Sequence, residues 1–537
     1  MKIERAMSAE VLIVGGGLGG VAAALAALRR GRCVLLTEET DWVGGQLTSQ
    51  GVPPDEHPWI EQFGCTRSYR ALRESIRDYY RTWYPLTDDA RTARDLNPGE
   101  GRVSRLCHEP RVAAAVLDAM LAPYLAAGRL RLLLGHRPVS ATVDGDRVTG
   151  VTVADASGAT RELTARFVLD ATELGDLLPL AGVEHVTGFE SGERTGEPSA
   201  PRHPEPANMQ AFSWVFAIDH RAGEDHTIDR PAGYPDWVRY QPPKWPNPLL
   251  SLVAPDPRTL ETVPRTFVPN ADSGPVVADQ SKDPGDKDLW VFRRILSRRM
   301  LRPGLADSDI TVVNWPMIDY LPGPIIGVSE QERAKHLDGA RELSLSMLYW
   351  LQTEAPRPDG GTGWPGLRLR GDAMGTGDGL AKAPYIRESR RIQAKRTIVE
   401  QDLSLAVRGE NGAVAYPDSV GVGMYRIDLH PSTGGDTYID VASCPFQIPL
   451  GALLPVRMRN LLPAGKNLGT THITNGCYRL HPVEWNVGEV AGALAAHCLE
   501  HDLEPHQVHA TGRLLDAFRD ELVRDGVELA WPQVKGY

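Results

Sequence analysis

The stretch from Glu10 to Glu38 constrains this chain more than any other part of it. Glu10 to Val14 reads as a short buried strand and Gly15-Gly16-Gly17-Leu18-Gly19-Gly20 as a glycine turn. The Ala/Leu-rich run to about Arg30 reads as a helix, and Cys33 to Thr37 as a second strand ending at Glu38. Gly15 suits the tight turn, Gly17 the approach of a pyrophosphate to the backbone, and Gly20 the close packing of helix on strand. The start of the helix then offers unpaired N–H groups to phosphate. Glu38 stands about twenty residues beyond the turn, where a carboxylate takes a ribose hydroxyl. Glu39 is its neighbour and rival. Together these elements predict a dinucleotide site on a parallel sheet.

The next segment decides which dinucleotide. Trp42-Val43-Gly44-Gly45-Gln46 adds a second glycine pair, which nicotinamide dehydrogenases do not need and a long flavin dinucleotide uses for backbone contact. Strand, triple glycine, acid and glycine pair resemble the glutathione-reductase-like flavoproteins and, among them, the bacterial FAD-dependent oxidoreductases. The resemblance implies FAD, held non-covalently. Phe167 to Asp176 resembles the Ala-Thr-Gly strand end that closes the FAD site in that fold: Ala171 and Thr172 match, and Glu173 stands where glycine is usual. Asn460 to Gly469 reads as a last short strand ending in Ala-Gly, and Gly465, Asn467 and Asn486 complete the expected cofactor contacts. Lys466 replaces the acid of a Gly-Asp pair found in related aromatic hydroxylases, which argues against that class. Arg387-Glu388-Ser389-Arg390-Arg391 resembles the family's RExRR element, read as one helical face with Glu388 pairing to Arg391 or a neighbour. Either it neutralises flavin or a substrate anion, or it is a structural ion-pair network.

At 537 residues the chain exceeds one ordinary domain. We divide it into an FAD domain over 1–190 with a helical insert at about 47–109, a substrate or cap domain over 191–435, a closing part of the FAD domain over 436–500 and a helical tail over 501–537. Helices are predicted at Cys65–Trp83, with Leu72, Ile76, Tyr79, Tyr80 and Trp83 at core spacing, at Pro110–Ala127 and at Glu330–Thr353. Leu130–Leu134 reads as a strand. His136–Val143, Arg147–Ala154 and Arg161–Leu169 form a meander through Asp-Gly-Asp and Ala-Ser-Gly turns. Residues 191–285, dense in Pro and Gly, read as loops on a substrate-binding sheet whose clearest strand is Asn208–Asp219. The run Gly360–Gly366 lacks a flanking strand and helix, so no second nucleotide domain is expected. The fold class is α/β, a Rossmann-like FAD domain with parallel sheet and β-meander, joined to an α+β substrate domain.

The richest chemistry lies in Thr471 to Pro482, read as a loop before a helix from about Val483 to Cys498. It holds His472, Tyr478, Arg479 and His481. In related flavoproteins the start of that helix faces the flavin pyrimidine and supports negative charge there. The expected reaction is transfer of hydride from a substrate C–H to flavin N5. A neutral histidine, His481 first and His472 second, takes the accompanying proton, and Arg479 grips an anion. Flavin monooxygenation or double-bond reduction is the alternative chemistry, and a non-catalytic binding protein on the same fold the alternative class. Electrons would leave to oxygen, a quinone or a carrier protein. The balance of 58 basic and 69 acidic residues, net −11, argues against nucleic acid as the partner. Six scattered cysteines with no metal spacing fit a reducing cytoplasm, buried inert thiols at Cys65 and Cys107, and no metal site. Ala9–Leu28 is apolar, but its glycine run and the acids Glu4 and Glu10 before it leave no spanning or targeting segment expected.

Overall fold

The structure is a computed structural model that describes residues 5–271, 283 and 285–537. Glu4 and the rest of the Pro/Gly-rich stretch at 272–282 and 284 lie outside the described residues. The main sheet carries β1 (Met7–Val14), β2 (Val34–Glu38), β3 (Leu130–Leu134), β4 (Arg137–Asp144), β5 (Arg147–Ala154) and β6 (Thr160–Asp170), in the order β3-β2-β1-β6-β5-β4. The pairs β3/β2, β2/β1 and β1/β6 are parallel, and β6/β5 and β5/β4 antiparallel. β1 and β2 are buried on both faces where they pair, and accordingly read as unbroken apolar runs.

β6 is 11 residues long and serves two partners on one edge: its first residues pair with β5, and Val168–Asp170 pair in parallel with a strand from the far end of the chain, Leu461–Pro463. Helix α1 (Leu18–Arg29) crosses behind β1. Helices α2 (Arg67–Trp83) and α3 (Pro110–Ala126) fill the insert and return the chain to β3. Leu72, Ile76 and Tyr80 are buried as their spacing predicts, but Trp83 is 72% exposed. It is the last residue of α2, and its side chain lies past the point where the helix leaves the core.

A second, antiparallel sheet carries β7 (Phe216–His220), β8 (Arg294–Leu296), β9 (Ile310–Val313) and β10 (Leu367–Leu369) in the order β8-β9-β7-β10, with α4 (Glu330–Thr353) packed nearby. The predicted strand Asn208–Asp219 is broken. Phe212–Ser213 pairs with Asp319–Tyr320, β7 begins at Phe216, and the backbone between them turns Trp214 aside. Arg387 to Arg391 is not helical. Its arginines reach acids on separate parts of the fold, Arg387 to Asp319 at 3.0 Å, Arg390 to Asp176 at 3.1 Å and Arg391 to Glu190 at 2.9 Å, while the expected pair of Glu388 with Arg391 forms at 2.6 Å. Among the described residues no helix is long and apolar enough to cross a membrane.

Candidate active site

Gly15 takes φ +100°, and a Cβ there would lie 2.3 Å from the Ala171 carbonyl oxygen. Only glycine lets the end of β1 and the end of β6 approach so closely. Across this junction opens a cleft of about 500 Å³, lined by Gly15, Gly17, Glu38, Glu39, Gly45, Ala171 and Thr172 on one side. Trp214, Leu337 and the segment Lys382–Pro384 with Ile386 line the other side. The Gly44 N–H donates to the Gly16 carbonyl at 2.7 Å, which docks the second glycine pair on the first.

Glu38 closes the end of β2. One carboxylate oxygen accepts from Gly16 N–H at 2.9 Å and the other from the backbone and hydroxyl of Thr40, both at 2.8 Å. Burial pushes its pKa up to about 7 against those hydrogen bonds. Burial likewise pushes Asp170, at the end of β6, up to about 7.

Glu173 and Lys466, each unexpected at its position, form an ion pair with each other. Burial works against the Lys466 ammonium, but the Glu173 and Glu484 carboxylates more than offset it and hold the pKa above the usual lysine range. Glu173 Oε1 is buried without a partner among the described residues and stands beside the glycine turn, where a Cβ on Gly17 would meet it at 2.9 Å. Glu484 reaches the same turn, accepting from Gly19 N–H at 3.5 Å, and burial pushes its pKa up.

The remaining predicted cofactor contacts lie behind the cleft wall. Gly20 packs its Cα face on Gly15, and a Cβ there would lie 2.1 Å from the Gly15 carbonyl oxygen. The Gln46 amide donates to the Arg479 carbonyl at 3.1 Å and to Glu484. Asn467 donates to the Asp170 carbonyl at 3.0 Å, tying the closing strand to β6, and Asn486 donates to Val420 at 3.3 Å. Gly465 sits near Glu484. Sequence reasoning missed Trp214, Leu337 and the 382–386 segment, which carry no motif. It also missed Ser49 and Gln50, which directly follow the glycine-pair segment and could have been extended from it.

Three of the four chemical residues occupy two helices, and Arg479 lies in the bend between them. Thr471 to Tyr478 is not a loop. Thr471 caps an α-helix, α5 (His472–Tyr478), through a Thr471/Thr474 capping box, and α6 begins at His481 and runs to His501. His472 Nδ1 lies 2.9 Å from Glu388 Oε1, a carboxylate that can only accept, so Nδ1 carries the proton. Its Nε2 lone pair has no partner among the described residues, and its ring stacks on Phe189 at 3.7 Å. Burial alone would raise the Glu388 carboxyl, but His472 and Arg391 beside it hold it down at about 2.

His481 is the reverse case. Its Nδ1 accepts from the Asp55 backbone N–H at 3.1 Å, so in the neutral ring Nε2 carries the proton and the free lone pair is already used. Burial pushes this imidazole down to about 3. Tyr478 donates to the Gln447 carbonyl at 2.8 Å. Arg479 reaches the Tyr385 hydroxyl at 2.8 Å with one nitrogen and Asp428 with the other, at 3.1 Å to its carbonyl and 3.3 Å to its carboxylate. Asp428 lines a second cavity of about 100 Å³, together with Arg293, Asn314, Arg426, His430 and Tyr438. Arg479 therefore ties Tyr385, which lies between cleft-lining Pro384 and Ile386 in the chain, to Asp428 of this second chamber. Cys65 and Cys107 are buried, and burial pushes both thiols up to about 12, far from reactive thiolates.

A glycine turn at the start of a helix, an acid at the end of the second strand, and a cleft running from them to Trp214 and Leu337 have the form of a dinucleotide-binding site. Over residues 10–522 the chain matches the family described as FAD dependent oxidoreductase, and it belongs to that family. FAD is its cofactor. It is 24% identical over 293 residues to the FAD-dependent monooxygenase ntnJ of a Nectria species, a match spanning 46% of this chain and 66% of that protein's length. Among solved structures, a geranylgeranyl bacteriochlorophyll reductase-like protein from Thermoplasma acidophilum aligns with 98% of this chain and 85% of its own, at 11% identity and TM-score 0.30. OxyS anhydrotetracycline hydroxylase from Streptomyces rimosus aligns with 42% of this chain and 39% of its own, at 17% identity and TM-score 0.24.

Proposed function

We propose that this FAD-dependent oxidoreductase is a dehydrogenase or oxidase of the glutathione-reductase-like type, taking hydride from a C–H bond of a small anionic substrate. Gly15 and Gly17 with the start of α1 would hold the diphosphate, Glu38 the ribose, and Gly45, Ala171 and Thr172 the wall of the cleft. When bound, FAD supplies the two-electron acceptor. Lys466, paired with Glu173 at the turn, supplies the positive charge that lets a diphosphate lie beside two carboxylates.

The observation that carries the reaction type is the Glu388–His472 pair. The carboxylate fixes a proton on Nδ1 and leaves Nε2 facing away from it without a partner, so Nε2 is the atom that would take a proton whenever the ring is neutral. Glu388 belongs to the chain segment whose earlier residues line the cleft. A small cavity that it lines with Arg387 shares Ile325 and Ile386 with that cleft. His481, a donor at Nε2, serves as a hydrogen-bonding wall residue in this scheme.

The second chamber supports an anionic substrate. Arg293 Nε, the Tyr438 hydroxyl and Asn314 Oδ1 are buried there with no hydrogen-bond partner among the described residues, Arg293 Nη1 lies 3.5 Å from Asp55, and Arg258, Arg293 and Arg426 line the chamber together with Asp286, Asp428 and Asp440. A carboxylate would satisfy the first two and leave Asn314 to take a donor. Residues 191–435 would act as the cap that carries most of this chamber, with Val103, Tyr438 and Asp440 closing it from outside that range.

Anaerobic mixing of the yellow holoprotein with hydroxy acids, amino acids and other carboxylates tests the reading. Bleaching of the flavin band by such a compound, without added NAD(P)H, is the expected result. Monooxygenation is the second reading, favoured by the ntnJ match. It requires that bleaching need NAD(P)H and that oxygen then enter the product.

A further inference from the structure

Away from the cleft, α6 meets α7 (Gly512–Asp525) at a cluster that the redox reading does not use. His497 and His501 stand one turn apart on α6, and Glu521 of α7 faces both. Its Oε1 lies 3.0 Å from His497 Nδ1 and 3.9 Å from His501 Nε2. The two imidazole centroids are 4.6 Å apart. A cation bound to nitrogen and oxygen at about 2.0–2.2 Å in a tetrahedral site keeps its ligand atoms roughly 3.3–3.5 Å from one another. The two separations at Glu521 bracket that value.

A histidine–glutamate hydrogen bond explains one imidazole and leaves the second, converging on the same oxygen, without a purpose. Two further features belong to a metal site. Arg30 holds the other carboxylate oxygen of Glu521 at 2.5 Å, fixing Oε1 toward the rings, as the outer partners of metal ligands do. The His497 side chain is 2% exposed and His501 47%, so one ligand is rigid and the other gives an ion access from solvent and leaves room for a coordinated water.

We propose that His497, His501 and Glu521 form a site for one divalent transition-metal ion that prefers imidazole and carboxylate, Zn²⁺ being the best fit to a two-nitrogen, one-oxygen set. The ion pins α7 onto α6, the helix whose first residues adjoin the cleft. This site is independent of the substrate reading, and the cysteine spacings searched for metal do not include it.

The test is titration of chelator-treated, FAD-loaded protein with ZnCl₂ against a chromophoric competitor, with the melting temperature read in parallel. One equivalent bound and a higher melting temperature are expected. His501→Ala and Glu521→Gln should each weaken binding by at least about tenfold, while an unaltered flavin spectrum shows that the fold is kept. No stoichiometric Zn²⁺ on the parent protein would overturn the site. So would equal affinity in the parent and in His501→Ala, whose side chain is half exposed and whose loss the fold tolerates.

Discussion

At the scale of single residues, the two histidines differ in which ring nitrogen is already engaged. A backbone N–H occupies the His481 lone pair and a carboxylate fixes the His472 proton, so the order of candidates read from sequence is reversed in the proposed mechanism. His472→Asn should slow anaerobic flavin reduction by roughly 10²-fold or more with FAD still bound. His481→Asn should change the rate far less. Equal single-turnover rates for parent and His472→Asn would remove the base. The Lys466–Glu173 pair makes a separate prediction. Lys466→Gln leaves the partly buried Glu173 and the buried Glu484 beside the turn without a cation, at a cost of about 3 kcal/mol. The double variant with Glu173→Gln should recover part of that loss in urea denaturation. Strictly additive losses would mean that the two side chains do not interact. Gly17→Val should yield flavin-free protein, because the added side chain meets Glu173 and closes the turn to phosphate. Normal flavin content in that variant would displace the fingerprint.

At the scale of elements, α1 and α6 are held almost backbone to backbone. A Cβ on Gly488 would lie 2.0 Å from the Gly19 carbonyl oxygen, and one on Gly492 2.1 Å from that of Ala23. Gly492→Val should destabilise by about 1–3 kcal/mol through overpacking, seen as a lower urea midpoint. An unchanged midpoint would show that the helices can separate freely. Strands and long helices of the first 190 residues were readable, because glycine turns and apolar periodicity act over neighbouring positions. α3 and α4 fall within a residue of their predicted bounds. α5 was not readable: Asn475 and Gly476 are poor helix formers, and all seven of its residues are buried, so packing overrides propensity. The 387–391 segment failed for the same kind of reason, since Arg387, Arg391 and Arg390 answer to acids 68, 201 and 214 positions away.

At the scale of the whole molecule, buried titratable groups oppose one another. His57 and His108 are held down near about 4 and His481 near about 3, chiefly by burial. The unfolded chain therefore takes up protons that the fold refuses as pH drops below about 6.5, which lowers stability. Glu38, Asp170, Glu197 and Glu484 are raised to about 7, again chiefly by burial. Their contribution is complete below their unfolded values and is lost as pH rises through 7, so it grows as pH falls. Three histidines against four acids should keep the flavin-free protein from losing stability between about pH 6.5 and 4.5. Below that the acids have nothing left to give. Glu61 and Glu388, held at about 2 by arginine and histidine partners despite burial, then lose their charge, and stability should drop steeply. Melting temperatures from pH 3.5 to 8 check this, and a steady decline from pH 7 to 5 would contradict it.

The sequence by itself determined the glycine turn, the acid that ends the second strand, the parallel sheet with its meander and the class of cofactor, because each depends on turns and periodicities carried by neighbouring residues. Tertiary structure alone decided which histidine has a free lone pair, that Glu173 and Lys466 answer each other across 293 positions, and where a second chamber opens. Those depend on partners far apart in the chain, and a hydrogen bond or an ion pair leaves no periodic trace by which its distant half could be found.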